Sequence, residues 1–124
     1  MNKPVIMLVE DDPILRDLTK RQLKVLGFES IPLSTGEEAV EKCGACNVGL
    51  IFMDIGLPGI DGGHATVLIR EKELMEHRKR VPIIALTAHS DRHNCKKAGM
   101  DDYIQKPVLL NDMRRMLGRW LPPG

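Results

Sequence analysis

The 124-residue chain carries no excess of one charge, since 18 Lys plus Arg stand against 17 Asp plus Glu for a formal net charge of +1. Without a global field, neither nucleic acid nor an anionic membrane is indicated as a direct partner, and recognition has to be built locally. Long apolar runs are also missing. Val5 to Val9 and Leu50 to Met53 fall far short of the roughly 18 residues that mark a bilayer span, and no charged-then-apolar leader opens the chain. A soluble, cytoplasmic protein is expected. The length suits one domain over residues 1–124, able to bury about two-thirds of its unfolded surface and too short for two ordinary cores.

Cysteine is scarce as well. Three thiols cannot all pair within one chain, and a domain of this size needs no staple, so reduced cysteines are expected. Cys43 and Cys46 form a C-x-x-C, but with Val40 they recur every third residue of a helix-like stretch, which suits small core or boundary positions. A metal half-site completed by His93 and Cys95 would need another helix to lie alongside, and the order derived below does not place it there. The four histidines show no metal-ligand spacing.

What is present is alternation. Five short apolar or β-prone segments alternate with five helix-like ones, with no linker, repeat or low-complexity stretch, and this predicts a parallel sheet of βα units. The continuous apolar runs Val5–Val9, Leu50–Met53 and Ile83–Leu86 suit central strands covered on both faces. Phe28–Leu33 and Tyr103–Gln105, more polar, suit the edges. A first helix is predicted over 13–26: Asp12 caps it, Pro13 opens it, Gly27 ends it, and Ile14, Leu15, Leu18, Leu23 and Leu26 share one face. Ser34 and Glu37 read as a capping box for a second helix reaching about Ala45. Gly62-Gly63 opens a third that dissolves in the charged run 76–80. Ser90 or Asp91 caps a fourth, which has only Cys95 and Ala98 to anchor it and is expected to be mobile. Asn111 caps a fifth, with Leu110, Met113, Leu117, Trp120 and Leu121 at helical spacing.

In an open α/β sheet, ligands bind beyond the carboxyl ends of the strands where the strand order reverses. Nearly every end here carries a polar group: Glu10, Asp11 and Asp12 after strand one, Asp54 after strand three, Thr87 after strand four and Lys106-Pro107 after strand five. The strand order 2-1-3-4-5, that of a flavodoxin-like (βα)5 three-layer sandwich, sets strands one and three side by side. Glu10, Asp11 and Asp54 then converge. Three carboxylates in one crevice demand a cation, and an all-oxygen donor set favours Mg2+ over Zn2+. Asp12 is assigned to the helix cap. Lys106 and Thr87 fall on the other side of Asp54, a point charge and a hydroxyl of the kind that holds phosphoryl oxygens.

Four segments carry a family resemblance: Val9-Glu10-Asp11-Asp12-Pro13, the run from Met53-Asp54 to Pro58-Gly59-Ile60-Asp61-Gly62, Leu86-Thr87-Ala88, and Asp102-Tyr103-Ile104-Gln105-Lys106-Pro107. In this order and spacing the chain resembles the receiver domain of bacterial two-component response regulators. The resemblance implies a phosphorelay switch rather than an enzyme, one that catalyses only its own phosphorylation and slow autodephosphorylation. Asp54 would be the phosphoacceptor, with Mg2+ held by Asp11, Asp54 and the backbone carbonyl of Gly56, and by Glu10 through water. Lys106 would pair with the phosphoryl group, Thr87 and Tyr103 would relay its presence to the surface of helix four, strand five and helix five, and the Lys106–Pro107 bond would be cis. The implied partner is a histidine kinase or histidine phosphotransfer domain, for a monomer or weak dimer. Gly-Met-Asp-Asp-Tyr over 99–103 and Arg-Trp-Leu-Pro over 119–122 resemble receivers at the end of hybrid histidine kinases. Gly56 and His89 depart from the family's habit at positions that tune phosphoryl lifetime.

Two other readings compete. A haloacid-dehalogenase-like phosphatase also uses an Asp after a strand with Mg2+, but needs a second carboxylate two residues on, where this chain has Gly56. A flavin or nucleotide module would need a phosphate-cradling loop after strand one, where Glu10-Asp11-Asp12 would repel phosphate.

Overall fold

In the computed structural model, residues 3–44, 47–88 and 92–122 are described. They form ten alternating elements: β1 (Val5–Val9), α1 (Pro13–Val25), β2 (Ser30–Leu33), α2 (Gly36–Lys42), β3 (Val48–Asp54), α3 (Gly62–Met75), β4 (Ile83–Thr87), α4 (Arg92–Ala98), β5 (Asp102–Gln105) and α5 (Leu110–Trp120). All strand pairings are parallel, in the order β2-β1-β3-β4-β5, so the predicted reversal between β1 and β3 is present. Alternation along the strands builds two cores. Ile6, Leu8, Leu50, Phe52, Ile84 and Leu86 pack with Leu23 of α1 and Met113, Met116 and Leu117 of α5. Met7, Val9, Ile51, Met53, Ile83 and Ala85 pack with Ala39 of α2, Ile69 of α3 and Cys95 of α4. β1, β3 and β4 are buried almost throughout and β2 and β5 are partly exposed, as apolar continuity predicts for central against edge strands.

Three local expectations need correction. In α1, Ile14, Leu15 and Leu18 are exposed at 78%, 40% and 50%. The buried face is Thr19 and Leu23, continued by Leu26, because that i, i+4, i+7 row is the one turned to the sheet. The cap of α2 sits one residue later than expected. Thr35 is the N-cap and accepts from Glu38 N–H at 3.1 Å, while the Glu38 carboxylate reaches past it to accept from Ser34 N–H at 3.3 Å; Glu37 takes no part in the cap. For α5 the N-cap is Leu109 rather than Asn111, and it is the Asp112 carboxylate that reaches back to Leu109 N–H at 3.3 Å. The expected end of α2 at Ala45, the Ser90 or Asp91 cap, Cys46, His89 and the side chain of His93 lie outside the described residues. Cys43 and Cys95 are buried thiols that take part in no disulfide.

Pattern reading also missed a charged cluster inside the fold. Arg70 of α3, whose side chain is 12% exposed, pairs with Glu73 at 2.9 Å and Asp101 at 2.8 Å and donates to the carbonyls of Val81 and Gly99. Asp101 in turn accepts from Ile83 N–H. These bonds tie α3, the start of β4 and the α4–β5 turn together at the amino ends of the strands, opposite the acids.

Candidate phosphoacceptor and cation site

The register brings the chemistry to one edge. Val9 pairs with Met53, Asp54 with Leu86, and Thr87 with Gln105, so the residues that follow each strand meet at the carboxyl end of the sheet. The ladder continues there, with Glu10 N–H to Leu33 O at 3.0 Å, Ile55 N–H to Leu86 O at 3.1 Å and Lys106 N–H to Thr87 O at 2.7 Å. Gly62 fixes Asp54 from behind: a Cβ at position 62 would stand 2.3 Å from the Asp54 carbonyl oxygen, so the N-terminus of α3 approaches that closely only because residue 62 is glycine.

The resulting cleft, about 430 Å³, is lined by Glu10, Asp11, Asp54, Gly56, Thr87 and Lys106, with Leu15 at its wall. Carboxylate oxygens of Glu10, Asp11 and Asp54 lie within 4.8 Å of one another. Glu10 and Asp54 are buried, at 3% and 5% exposure, and Asp11 stands on the rim. Among the described residues this is the one acidic cluster with metal-holding geometry, and it contains no cysteine or histidine. The donor set therefore fits a hard, oxygen-seeking cation. Lys106 bridges the acids, with Nζ 3.2 Å from both Glu10 Oε1 and Asp54 Oδ1. Gly56 N–H donates to Asp54 Oδ1 at 3.1 Å and Asp12 N–H to Glu10 Oε2 at 3.2 Å. Asp12 caps α1 as expected, with Oδ1 accepting from Ile14 and Leu15 N–H.

Burial, reinforced by the Asp54 carboxylate, pushes the Glu10 carboxyl up to about 7, although Asp12 N–H and Lys106 pull the other way. Burial alone would lower the Lys106 pKa, but Asp54 and Glu10 outweigh it and hold the ammonium above its ordinary value. The site stores repulsion that one lysine only partly offsets. Thr87 is buried at the end of β4, and Lys106–Pro107 is cis. Tyr103, two residues along β5 from the Thr87 pairing partner Gln105, is half-buried beside a cavity of about 200 Å³ that Cys95 and Met100 also line. Glu10, Asp11, Asp54, Gly56, Thr87 and Lys106 thus all line the cleft, whereas Tyr103 lies further down β5. His64 and His77, assigned no role, are exposed.

Residues 6–118 match the response regulator receiver domain family. This chain belongs to that family. The receiver is 36% identical over 123 residues to hybrid signal transduction histidine kinase F of Dictyostelium discoideum, covering 96% of the chain and 11% of that protein. It resembles the receiver domain of sensor histidine kinase PA1611 from Pseudomonas aeruginosa PAO1, a structure with a magnesium ion coordinated in the active site cleft. There the TM-score is 0.84 and the identity 39%, over 96% of this chain and 98% of the other. It also resembles a co-crystal structure of the Saccharomyces cerevisiae histidine phosphotransfer signaling protein Ypd1 and the receiver domain of its downstream response regulator Ssk1, with TM-score 0.89 and identity 28%, over 95% and 88% of the two chains. The chain spans only 7% to 16% of the length of the curated relatives it matches. Membership makes it a signalling module of the phosphorelay type. The comparisons lend no support to the phosphatase reading, whose second carboxylate is absent at Gly56. No helix among the described residues is long and apolar enough to cross a membrane.

Proposed function

We propose that residues 1–124 act as one receiver whose Asp54 accepts a phosphoryl group from a phosphohistidine of a histidine kinase or histidine phosphotransfer partner. The observation that carries this reading is Asp54 itself, a buried carboxylate bonded to Lys106 and gathered with two further acids at the mouth of an open cleft. Glu10, Asp11, Asp54 and the Gly56 carbonyl would hold Mg2+, which when bound neutralises charge on the transferring oxygens. The step itself is a displacement. An Asp54 oxygen forms the new O–P bond, the P–N bond breaks, and the imidazole leaves with the electron pair. Lys106 holds its charge against the phosphoryl oxygens, and Asp54 is held in line by Gly56 N–H; positioning and charge neutralisation suffice for so loose a transfer. Attack of water on the phosphorus then forms a new O–P bond, breaks the Asp54 O–P bond and releases inorganic phosphate, a slow autodephosphorylation that returns the Asp54 carboxylate and resets the switch.

Thr87, buried at the end of β4, would turn its hydroxyl to the new oxygens, and Tyr103 would follow inward beside Cys95 and Met100, altering the face of α4, β5 and α5 in a two-state repacking. The partner reading is supported by α1, whose Ile14, Leu15 and Leu18 are exposed, with Leu15 forming part of the cleft wall. A reducing, cytoplasmic setting and a monomer or weak dimer, without direct nucleic-acid or membrane contact, complete the proposal. The parent protein would be a hybrid histidine kinase.

Labelling from a phosphorylated phosphotransfer domain tests the assignment. With Mg2+ the wild type should take the label and Asp54→Asn should not, and amide exchange in β5 should differ between the free and beryllofluoride-bound wild type. Label persisting in Asp54→Asn would assign the phosphoacceptor elsewhere, and unchanged exchange with the mimic bound would remove Tyr103 from the relay.

A further inference from the structure

Arg16 is a cation in the first turns of α1, where the amide ends of the helix disfavour positive charge. Its guanidinium is not spent on an acid: none of the ion pairs among the described residues involves it. Instead Nη1 reaches back past the helix start and donates to the main-chain carbonyls of Glu10, at 3.0 Å, and Asp11, at 3.4 Å. Those are the two residues of the β1–α1 turn whose side chains enter the acid cluster. The rest of the turn is tied locally, by Asp12 N–H to Glu10 Oε2 and by the Asp12 cap on Ile14 and Leu15. Arg16 alone grips the peptide units of both acids from the helix side.

We propose that Arg16 is a positioning residue of the cation site: by clamping the Glu10 and Asp11 carbonyls it fixes the backbone from which both carboxylates reach a divalent ion, and so sets the affinity of the site for Mg2+. The proposal rests on the receiver reading above. Two effects of Arg16 oppose each other, and their signs differ. As a charge near three carboxylates it weakens cation binding, whereas as a clamp it strengthens binding by holding the ligands in place. Removing the side chain therefore tightens Mg2+ if charge dominates and loosens it if positioning dominates.

Arg16→Met and Arg16→Lys, in the full chain, are compared with wild type by Mg2+ calorimetry at pH 8 and by amide exchange in chelator. We expect Arg16→Met to bind Mg2+ about three- to tenfold more weakly, to exchange the amides of Asp12 and Leu15 faster without Mg2+, and to leave β3 and β4 protection unchanged. Arg16→Lys, which keeps the charge and a donor, should recover at least half of the lost affinity. Mg2+ binding in Arg16→Met that is unchanged or tighter overturns the proposal, as does unchanged exchange at Asp12 and Leu15. Loss of protection throughout β3 and β4 would overturn it too, by showing a fold-wide role. A wild type that binds no Mg2+ would instead remove the receiver reading on which the proposal stands.

Discussion

Glu10 shows how one side chain can couple the site to pH. Burial pushes its carboxyl from an ordinary 4.5 up to about 7 in the folded chain, so between about pH 4.5 and 7 the folded state holds a proton that the unfolded chain has released. Stability contributed by this group is then full below about 4.5, declines as pH rises through 7, and is absent above it. Glu10→Gln cannot titrate, and the difference between its melting temperature and that of the wild type isolates the effect from carboxyls such as Asp102, whose pKa burial would raise but Trp120, Tyr103 N–H and Arg119 hold low. In chelator, the melting temperature of the wild type should fall relative to Glu10→Gln from pH 5 to 7.5. Parallel traces would mean that the Glu10 carboxyl is not held in the buried setting described. With Mg2+ present, ion and proton compete for the same oxygens, so the apparent Mg2+ affinity should also fall below pH 7.

Among the elements, α1 is where pattern and structure parted most usefully. Its five apolar residues read as one face, but a helix of this length has room for two rows. The sheet takes Thr19, Leu23 and Leu26, and leaves Ile14, Leu15 and Leu18 exposed, with Leu15 at the cleft wall. A residue count cannot say which row faces inward when the inner row includes a threonine. The strands were legible because continuous β-branched and apolar runs have one reading when helices cover both faces, and the acid site was legible because it lies at strand ends that the order 2-1-3-4-5 brings together. Arg16 and the Arg70 cluster were not, since both act on main-chain carbonyls, which have no sequence signature. The caps were missed by one or two residues for a different reason: Thr35 and Asp112 each stand beside an equally plausible neighbour, Ser34 and Asn111. The exposed row of α1 carries a prediction. Leu18→Arg removes half-exposed apolar surface that the core does not use, so stability should change by no more than about 0.5 kcal/mol. If the row is a docking surface, phosphoryl transfer from a histidine phosphotransfer domain should slow about tenfold or more, as for a contact worth at least about 1.4 kcal/mol, while labelling by a small phosphodonor stays as in wild type. Equal slowing with both donors would place the defect in the cleft instead.

The whole molecule is held together against its own site. Glu10, Asp11 and Asp54 bring three carboxylates within 4.8 Å, with Lys106 as the cation bridging two of them. At that spacing and an effective dielectric of about 20, each like-charge pair costs on the order of 3 kcal/mol before solvent and salt screen it, and screening is strongest for exposed Asp11. Even a third of that is measurable, because about 1 kcal/mol moves the melting temperature of a chain this size by roughly 3 to 5 °C. The cost is borne by the fold and relieved by the ligand: a divalent ion that binds only the folded chain adds RT ln(1 + [L]/Kd), about 1.4 kcal/mol at ten times Kd. At pH 8, where the Glu10 carboxyl is ionised, the wild type should therefore melt higher as Mg2+ is added. Asp11→Asn removes one charge from the cluster and one oxygen from the donor set without opening the core, so in chelator it should melt higher than the wild type by a few degrees, and Mg2+ should raise it far less. A variant that melts at or below wild type in chelator would show that the three acids do not repel one another in the folded chain, and a variant that keeps the full response to Mg2+ would place the ion away from Asp11.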